Sequence, residues 1–233
     1  MSKNSELNSL RYERKFFISE LSKYEIEAIV KLHPSMFDEI YYERNINNIY
    51  FDSFDMTNFF DNVDGLSQRV KFRIRWYGEL LGFIEKPVLE VKIKQGQLGG
   101  KLHYPLESFI LDEHLTNDKM RKIISTAKIP DELKYRMMSL NFTLLNCYTR
   151  KYFQSKDKKY RITIDSDMKY VQLSHLYNSY LNELVDYSNN ILELKYDKED
   201  DEGARIITGY FLFRMTKSSK YVTGIEMLHQ ALM

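Results

Sequence analysis

The segment from Gln68 to Trp76 alternates between basic and apolar residues after its first position. A β-strand directs successive side chains to opposite faces, so this spacing predicts a strand with one cationic and one apolar face. The cationic face would carry Arg69, Lys71, Arg73 and Arg75, and the apolar face Val70, Phe72, Ile74 and Trp76. For one strand alone, the simpler interpretation is a sheet whose cationic face lies in solvent.

The same alternation recurs in other predicted strands, which weakens the solvent-facing interpretation. Charged residues share one face in each of four further segments: Arg11, Glu13 and Lys15; Glu90, Lys92 and Lys94; Arg161 and Asp165; Glu193 and Lys195. Strands that each give cations and a carboxylate to one common face predict a closed sheet with a charged interior. An eight-stranded barrel has an interior about one small ligand wide, which suits an extended anion.

The pattern of the whole chain predicts an α+β fold. Strands are predicted at 10–18, 46–52, 68–77, 88–94, 101–104, 147–154, 159–165 and 190–196. Helices are predicted after the N-cap Ser22, after Thr116, from Pro130, and as two helices within 203–232 that break near 217–220. Because few helices cross between strands, we expect an antiparallel, closed eight-stranded β-barrel with flanking helices. No linker-like stretch divides the chain, so residues 1–233 are expected to form one domain.

Composition excludes several classes of protein. Lys and Arg total 34 against 33 Asp and Glu, a balance that argues against a nucleic-acid binder, whose domains are usually strongly basic. The single cysteine, Cys147, excludes an intramolecular disulfide framework and a cysteine-based structural zinc site. No apolar run approaches the roughly 18 residues of a transmembrane helix, and the N-terminus lacks the apolar core of a secretory signal. We therefore expect a cytoplasmic protein without a transmembrane segment.

The charged interior predicts the chemistry of its ligand. Cations packed without a ligand would repel one another and are costly to desolvate, so a polyanion is the expected partner. Arginine makes bidentate contacts to phosphate oxygens and lysine contributes a point charge. Glutamates among these cations are explained if they hold Mg²⁺ or Mn²⁺, which bridge carboxylate and phosphate oxygens.

The residues of these segments also resemble a known family. The matching segments, in family order, are 12–15 (YERK), 49–52 (IYFD), 71–78 (KFRIRWYG), 89–92 (LEVK), 148–150 (YTR), 161–165 (RITID), 192–195 (LELK), 217–221 (KSSKY) and Gly224. The chain resembles the triphosphate tunnel metalloenzyme (CYTH-like) superfamily, and within it the catalytic domain of VTC polyphosphate polymerases. It departs from the superfamily at Arg11, which stands where the first glutamate of the opening motif would be. That departure favours the VTC-like branch and removes one metal ligand.

The resemblance implies a function and roles for individual residues. It implies metal-dependent phosphoryl transfer from ATP or another triphosphate to a growing polyphosphate chain inside a basic tunnel, with Mn²⁺ or Mg²⁺ as cofactor. The implied catalytic residues are Arg73, Arg75, Lys92 and Lys220. The implied phosphate-binding residues are Lys15, Arg150, Arg161, Lys195 and Lys217. Glu193 is the implied main metal ligand, with Glu13 and Glu90 as further candidates.

Several alternatives remain open at the level of sequence. The chain could be a triphosphatase, in which water replaces the phosphate acceptor, or a binding module that holds polyphosphate or another phosphorylated ligand without turnover. Glu13 and Glu90 could be salt-bridge partners of neighbouring cations, and Asp165 could serve only to orient Arg161. The membrane segments of eukaryotic polymerase subunits have no counterpart in the sequence, which leaves open a membrane-protein partner in trans.

Overall fold

The computed structural model describes residues 11–96, 98–173, 178, 180 and 182–230. The strands within these ranges are β1 (Tyr12–Ile18), β2 (Asp38–Asp52), β3 (Gln68–Tyr77), β4 (Gly82–Ile84), β5 (Val88–Gln95), β6 (Leu98–Pro105), β7 (Phe109–Leu111), β8 (Asn141–Gln154), β9 (Arg161–Gln172), β10 (Glu183–Asp186) and β11 (Asn190–Tyr196). The helices are α1 (Lys23–Lys31), α2 (Thr57–Val63), α3 (Asn117–Thr126), α4 (Asp131–Met138), α5 (Asp201–Gly209) and α6 (Lys220–Gln230), with a short 3₁₀-helix at Lys198–Asp200. The predicted α+β class is confirmed. Leu10 of the first predicted strand and residues 231–232 of the last predicted helix lie outside the described residues.

Eight strands form one antiparallel path in the order β1-β11-β9-β8-β2-β3-β5-β6, and β10 pairs with β9 beyond the part of β9 that pairs with β11. Among the described residues, β1 and β6 at the ends of this path share one isolated bridge, between Arg11 and Gly99. The expected full closure is therefore corrected to a sheet whose ladder is open at this seam. Gly99 and Gly100 on the β6 side offer no side chain for cross-strand packing, which weakens pairing there.

The apolar faces of the strands are buried beneath helices, so their charged faces turn the other way. Phe72 and Ile74 of β3 pack in one core with Met120 and Ile124 of α3. On the other side of the molecule, Phe16 of β1 packs in a second core with α1 and α5. Helices α1, α3 and α5 thus cover the outside of the curved sheet and leave most of its concave face to the charged residues.

Helix α6 lies against β8 and β9 and closes part of the concave face. Tyr221 and Ile225 pack in a third core with Leu144 of β8 and Tyr170 of β9. Gly224 makes this approach feasible, because a Cβ there would lie 2.5 Å from a ring carbon of Tyr170. The first residue of α6, Lys220, is thereby held at the edge of the concave face.

Some elements differ from the sequence prediction. β2 begins at Asp38 rather than at 46, and β8 begins at Asn141 rather than at 147. The extra length of β2 pairs with β8 through register shifts that interrupt period-two alternation, which hides it in the sequence. β4, β7 and β10 are too short to give a periodic signal, and the seven-residue α2 was not predicted. No helix in the described part of the chain is both long and apolar enough to cross a membrane.

Candidate functional site

A cavity of about 430 Å³ lies on the concave face, and each of the eight strands of the main path contributes to its wall. In the described chain, eleven lysine and arginine side chains but only two carboxylates line it: Arg11, Lys15, Lys71, Arg73, Arg75, Lys92, Lys101, Arg150, Arg161, Lys195 and Lys220, with Glu13 and Glu193. Tyr50, Tyr148, His103, Ser218 and Ser219 complete the polar lining. A cavity of this composition suits a ligand that carries several negative charges.

Most of the residues selected from the sequence meet at this cavity. Ten of the twelve line it within the described structure: Glu13, Lys15, Arg73, Arg75, Lys92, Arg150, Arg161, Glu193, Lys195 and Lys220. Glu90 lies behind the wall rather than in it. Lys217 is not part of the lining, and its Nζ lies beside Gly65.

Glu90 is surrounded by cations. Its Oε2 accepts hydrogen bonds from Arg73 Nε at 2.7 Å and Nη2 at 2.5 Å, and lies 3.7 Å from Arg75 Nη1. Its Oε1 lies 3.6 Å from Lys101 Nζ and 3.2 Å from His103 Nε2. Burial would raise the pKa of Glu90, but Arg73 and Arg75 outweigh burial and lower it. This arrangement favours the salt-bridge alternative for Glu90, because the carboxylate already orients two arginines toward the cavity.

Asp165 is the corresponding buried anion on the other side of the cavity. It accepts a bidentate pair of hydrogen bonds from Arg150 and a further bond from Lys220 Nζ at 2.5 Å. Burial would raise the pKa of Asp165, but these two cations lower it to about 2. The expected partner Arg161 is corrected to Arg150, because the β8–β9 register places Arg150 directly opposite Asp165.

Glu13 and Glu193 form a carboxylate pair that faces the cavity itself. Lys15 Nζ lies 3.6 Å from Glu13 Oε2 and 3.4 Å from Glu193 Oε2, and Lys195 Nζ also lies within 4 Å of both carboxylates. Burial and Glu193 would raise the pKa of Glu13, but Lys92, Lys15 and Lys195 lower it to about 2. Burial would likewise raise the pKa of Glu193, and its lysine neighbours lower it well below the ordinary value. Both groups are therefore ionised near neutral pH.

The cavity also holds cations whose charge is poorly compensated. Lys71 has no ion-pair partner in the described structure and donates instead to Ser219 Oγ at 2.7 Å. Burial and the neighbouring cations Lys92 and Lys15 lower the pKa of Lys71 well below its usual value. Burial lowers the pKa of Lys92 and that of Lys101 to about 8, despite the partial compensation from Glu13 and Glu90 respectively. An anion that enters would remove this deficit of negative charge.

The Glu13–Glu193 pair has features of a site for a divalent cation. No group of three or more His, Cys, Asp or Glu side chains that could hold a metal occurs among the described residues. Mg²⁺, however, is usually held by one or two carboxylates, with the remaining ligands from phosphate and water. Thr163, which pairs with Glu193 in the β9–β11 register, has a buried hydroxyl with no hydrogen-bond partner in the described structure. Two facing carboxylates and an unsatisfied hydroxyl fit a metal that arrives together with its phosphate ligand.

Sequence reasoning missed several residues of the lining. Lys71 stands two positions before Arg73, so its place on the cationic face was visible, although no phosphate-binding role was assigned to it. Lys101 follows two glycines in a stretch with little alternation, and only its pairing with Lys92 in the β5–β6 ladder brings it to the cavity. Tyr50 and Tyr148 donate no charge, but their hydroxyls accept hydrogen bonds from Arg73 and Arg75.

Comparison with known proteins agrees with this geometry. A family model described as the VTC domain matches residues 10–229. A candidate adenylyl cyclase from Hippeastrum, described as having a dominant triphosphatase activity, has a similar fold, with a TM-score of 0.55 and 10% identity over 93% of this chain and 95% of that one. A candidate adenylate cyclase from Vibrio parahaemolyticus has a TM-score of 0.50 and 10% identity over 94% and 98% of the two chains. No curated protein sequence matches the chain.

Proposed function

The chain belongs to the VTC domain family, and from this premise we propose that it transfers the terminal phosphoryl group of a nucleoside triphosphate to a growing polyphosphate chain. The observation that carries the proposal is the cavity itself, in which eleven described lysine and arginine side chains surround two carboxylates. Its proposed ligands are ATP or another triphosphate and polyphosphate.

Arginines anchored from behind would bind the phosphates in this mechanism. Arg73 and Arg75 are held by Glu90, and Arg150 is held by Asp165, so their positions are fixed before a ligand arrives. Such preorganisation lets the cations stabilise charge without rearranging during the reaction. Lys92, Lys101 and Lys71 would complete the neutralisation of the phosphate chain.

The carboxylate pair supports a role for a divalent cation. Glu13 and Glu193 would hold Mg²⁺ or Mn²⁺, whose chemistry is to withdraw charge from the phosphoryl group under attack. Lys15 and Lys195 now neutralise both carboxylates and would be free to contact phosphate oxygens instead. No general base is required, because phosphoryl transfer depends mainly on positioning and charge neutralisation.

The direct test is turnover by the purified protein. We expect ATP with Mn²⁺ to yield ADP and polyphosphate, resolved from free phosphate by gel electrophoresis and a malachite-green assay, and a chelator to stop the reaction. Glu193→Gln keeps the size of the side chain and removes its charge, so we expect turnover to fall at least about a hundredfold. Glu183→Gln is the matched control, since Glu183 pairs with Lys169 away from the cavity.

The products distinguish the proposal from its alternatives. Free phosphate without polyphosphate would identify a triphosphatase. Tight binding of tripolyphosphate without metal-dependent turnover of any triphosphate would identify a binding module. Equal activity of the Glu193→Gln variant and the wild-type protein would exclude Glu193 as the essential metal ligand.

A further inference from the structure

Four tyrosines surround Arg44 in the middle of β2. The guanidinium carbon of Arg44 lies 4.6 Å from the ring centroid of Tyr41, 5.5 Å from that of Tyr42, 5.9 Å from that of Tyr77 and 5.7 Å from that of Tyr152. All four distances are within the range of cation–π attraction. We call these five residues the Tyr77 cluster. Tyr42 is 78% exposed and Tyr77 56% exposed, so ring surface remains available to a ligand.

Strand register places the Tyr77 cluster on the same face of the sheet as the cavity wall, beyond the residues that line the cavity. Tyr77 follows Arg75 by two residues on β3, and alternate residues of a strand share a face. Arg44 of β2 lies opposite Arg150 of β8, which lines the cavity. The guanidinium of Arg150 in turn lies 6.0 Å from the ring of Tyr152. The Tyr77 cluster therefore adjoins the phosphate-binding wall through the contact of Tyr152 with Arg150.

Phosphate binding gives no reason for this aromatic surface. Phosphate oxygens need hydrogen-bond donors and positive charge, which Arg73, Arg75 and Arg150 supply inside the cavity. An aromatic base, in contrast, carries no negative charge and would desolvate these packed cations without neutralising them. A nucleoside triphosphate with its phosphates in the cavity must therefore keep its base outside, at a mouth.

The spacing suits this arrangement. Strands rise about 3.4 Å per residue, so Tyr77 lies about 7 Å along the strand from Arg75. That length is comparable to a ribose between its phosphate and its base. Tyrosine rings and the guanidinium plane of Arg44 both stack on nucleobases.

We propose that the Tyr77 cluster binds the aromatic base of a nucleoside triphosphate whose phosphates occupy the cavity. The proposal rests on the proposed function and adds the part of the substrate that lies outside the cavity. Recognition is by stacking, so purine nucleotides, with the larger rings, bind more tightly than pyrimidine nucleotides.

The test separates the base from the phosphates. Calorimetry without metal compares ATP and inorganic tripolyphosphate on wild-type protein, Tyr77→Ala and Tyr77→Phe. We expect Tyr77→Ala to weaken ATP binding about tenfold and to leave tripolyphosphate binding unchanged, because one stacking partner is lost. Tyr77→Phe retains the ring and keeps ATP binding near the wild-type value. Tyr135→Ala, which removes an exposed tyrosine of α4, is the control and changes neither affinity.

A second measurement reports stacking directly. The fluorescence of 2-aminopurine riboside triphosphate falls when its base stacks, so wild-type protein should quench it and Tyr77→Ala should quench it less. If Tyr77→Ala leaves both the ATP affinity and the quenching unchanged, the base-binding proposal is overturned. Binding of tripolyphosphate to the wild-type protein would still support the cavity as a phosphate site in that case. Wild-type protein that binds neither ATP nor tripolyphosphate overturns both proposals.

Discussion

Asp165 joins Arg150 of β8 to Lys220, the first residue of α6, through hydrogen bonds from both cations to one fully buried carboxylate. Two sides of the cavity that are far apart in sequence thus depend on one negative charge. Removal of that charge leaves two cations without compensation, which makes Asp165 a sensitive position for both stability and binding.

We expect Asp165→Asn to lower the free energy of unfolding by about 3–5 kcal/mol, the usual cost of removing one partner of a buried ion pair. Thermal denaturation measures this loss. Tripolyphosphate should raise the melting temperature of the variant by more than that of the wild-type protein, since its charges replace that of Asp165. Asp157→Asn, in an exposed hairpin turn, is the control and should change stability little. A variant as stable as wild type would show that Asp165 does not compensate the two cations.

The lowered pKa of Asp165 also predicts how its stabilisation varies with pH. The folded pKa of about 2 lies below the ordinary value of 3.8, so the folded state binds this proton less readily than the unfolded chain. The stabilisation is therefore complete above about pH 4 and is lost as pH falls toward 2. Acid unfolding of the wild-type protein and of Asp165→Asn should converge at low pH, as followed by circular dichroism.

Lys101 should make triphosphate binding depend on pH. Its pKa is lowered to about 8, chiefly by burial, and a bound polyanion would favour its protonated form. Affinity should therefore fall as pH rises above about 8, and binding in that range should take up protons. Lys101→Arg remains charged and should remove the part of the decline that Lys101 causes, while Lys92, whose pKa is also lowered to about 8, causes the rest. Calorimetry with tripolyphosphate at several pH values compares wild-type protein with Lys101→Arg. Protonation of the ligand itself affects both proteins equally and cancels in this comparison. Parallel pH profiles would contradict a titrating Lys101.

Gly224 should tolerate no side chain. A Cβ there would approach Tyr170 and Leu144 to 2.5 and 2.7 Å, so Gly224→Ala should cost about 1–3 kcal/mol of stability by overpacking. The displaced α6 would also move Lys220, and triphosphate affinity should fall. Gly209→Ala is the matched control, because a Cβ at Gly209 meets no atom within 4 Å. Denaturant unfolding should separate the two variants, and equal stability would show that α6 can shift freely.

Triphosphate should stabilise the wild-type protein by mass action, since the cavity holds poorly compensated cations. A ligand at about a hundred times its dissociation constant adds about 2.7 kcal/mol to the free energy of unfolding. Differential scanning fluorimetry should show this shift with tripolyphosphate as well as with ATP. Adenosine alone should give almost none. If adenosine raised the melting temperature and tripolyphosphate did not, recognition through the phosphates would be contradicted.

The cationic wall of the cavity was largely predictable from sequence. Arg73 and Arg75 reveal their shared face through strict alternation, and the Glu13–Lys15 and Glu193–Lys195 spacings do the same on β1 and β11. These signals depend only on the period of a strand and therefore survive without knowledge of the fold.

The pairing of the charges was not predictable in the same way. Whether Asp165 meets Arg150 or Arg161 depends on the β8–β9 register, which shifts between Cys147 and Thr149. Glu90 occurs in the same alternating pattern as Lys92, yet its side chain is enclosed by Arg73 and Arg75. Such distinctions arise from tertiary packing, and a single sequence contains no signal for them.

The single bridge between Arg11 and Gly99 has a topological consequence. Neighbouring strands elsewhere on the main path share five or more paired residues, whereas one pair joins the first and last strands in the described structure. Lateral separation of the walls at this seam would therefore break very few backbone hydrogen bonds. A polymer in the cavity would be held by attraction to the walls, because no closed ring of strands surrounds it.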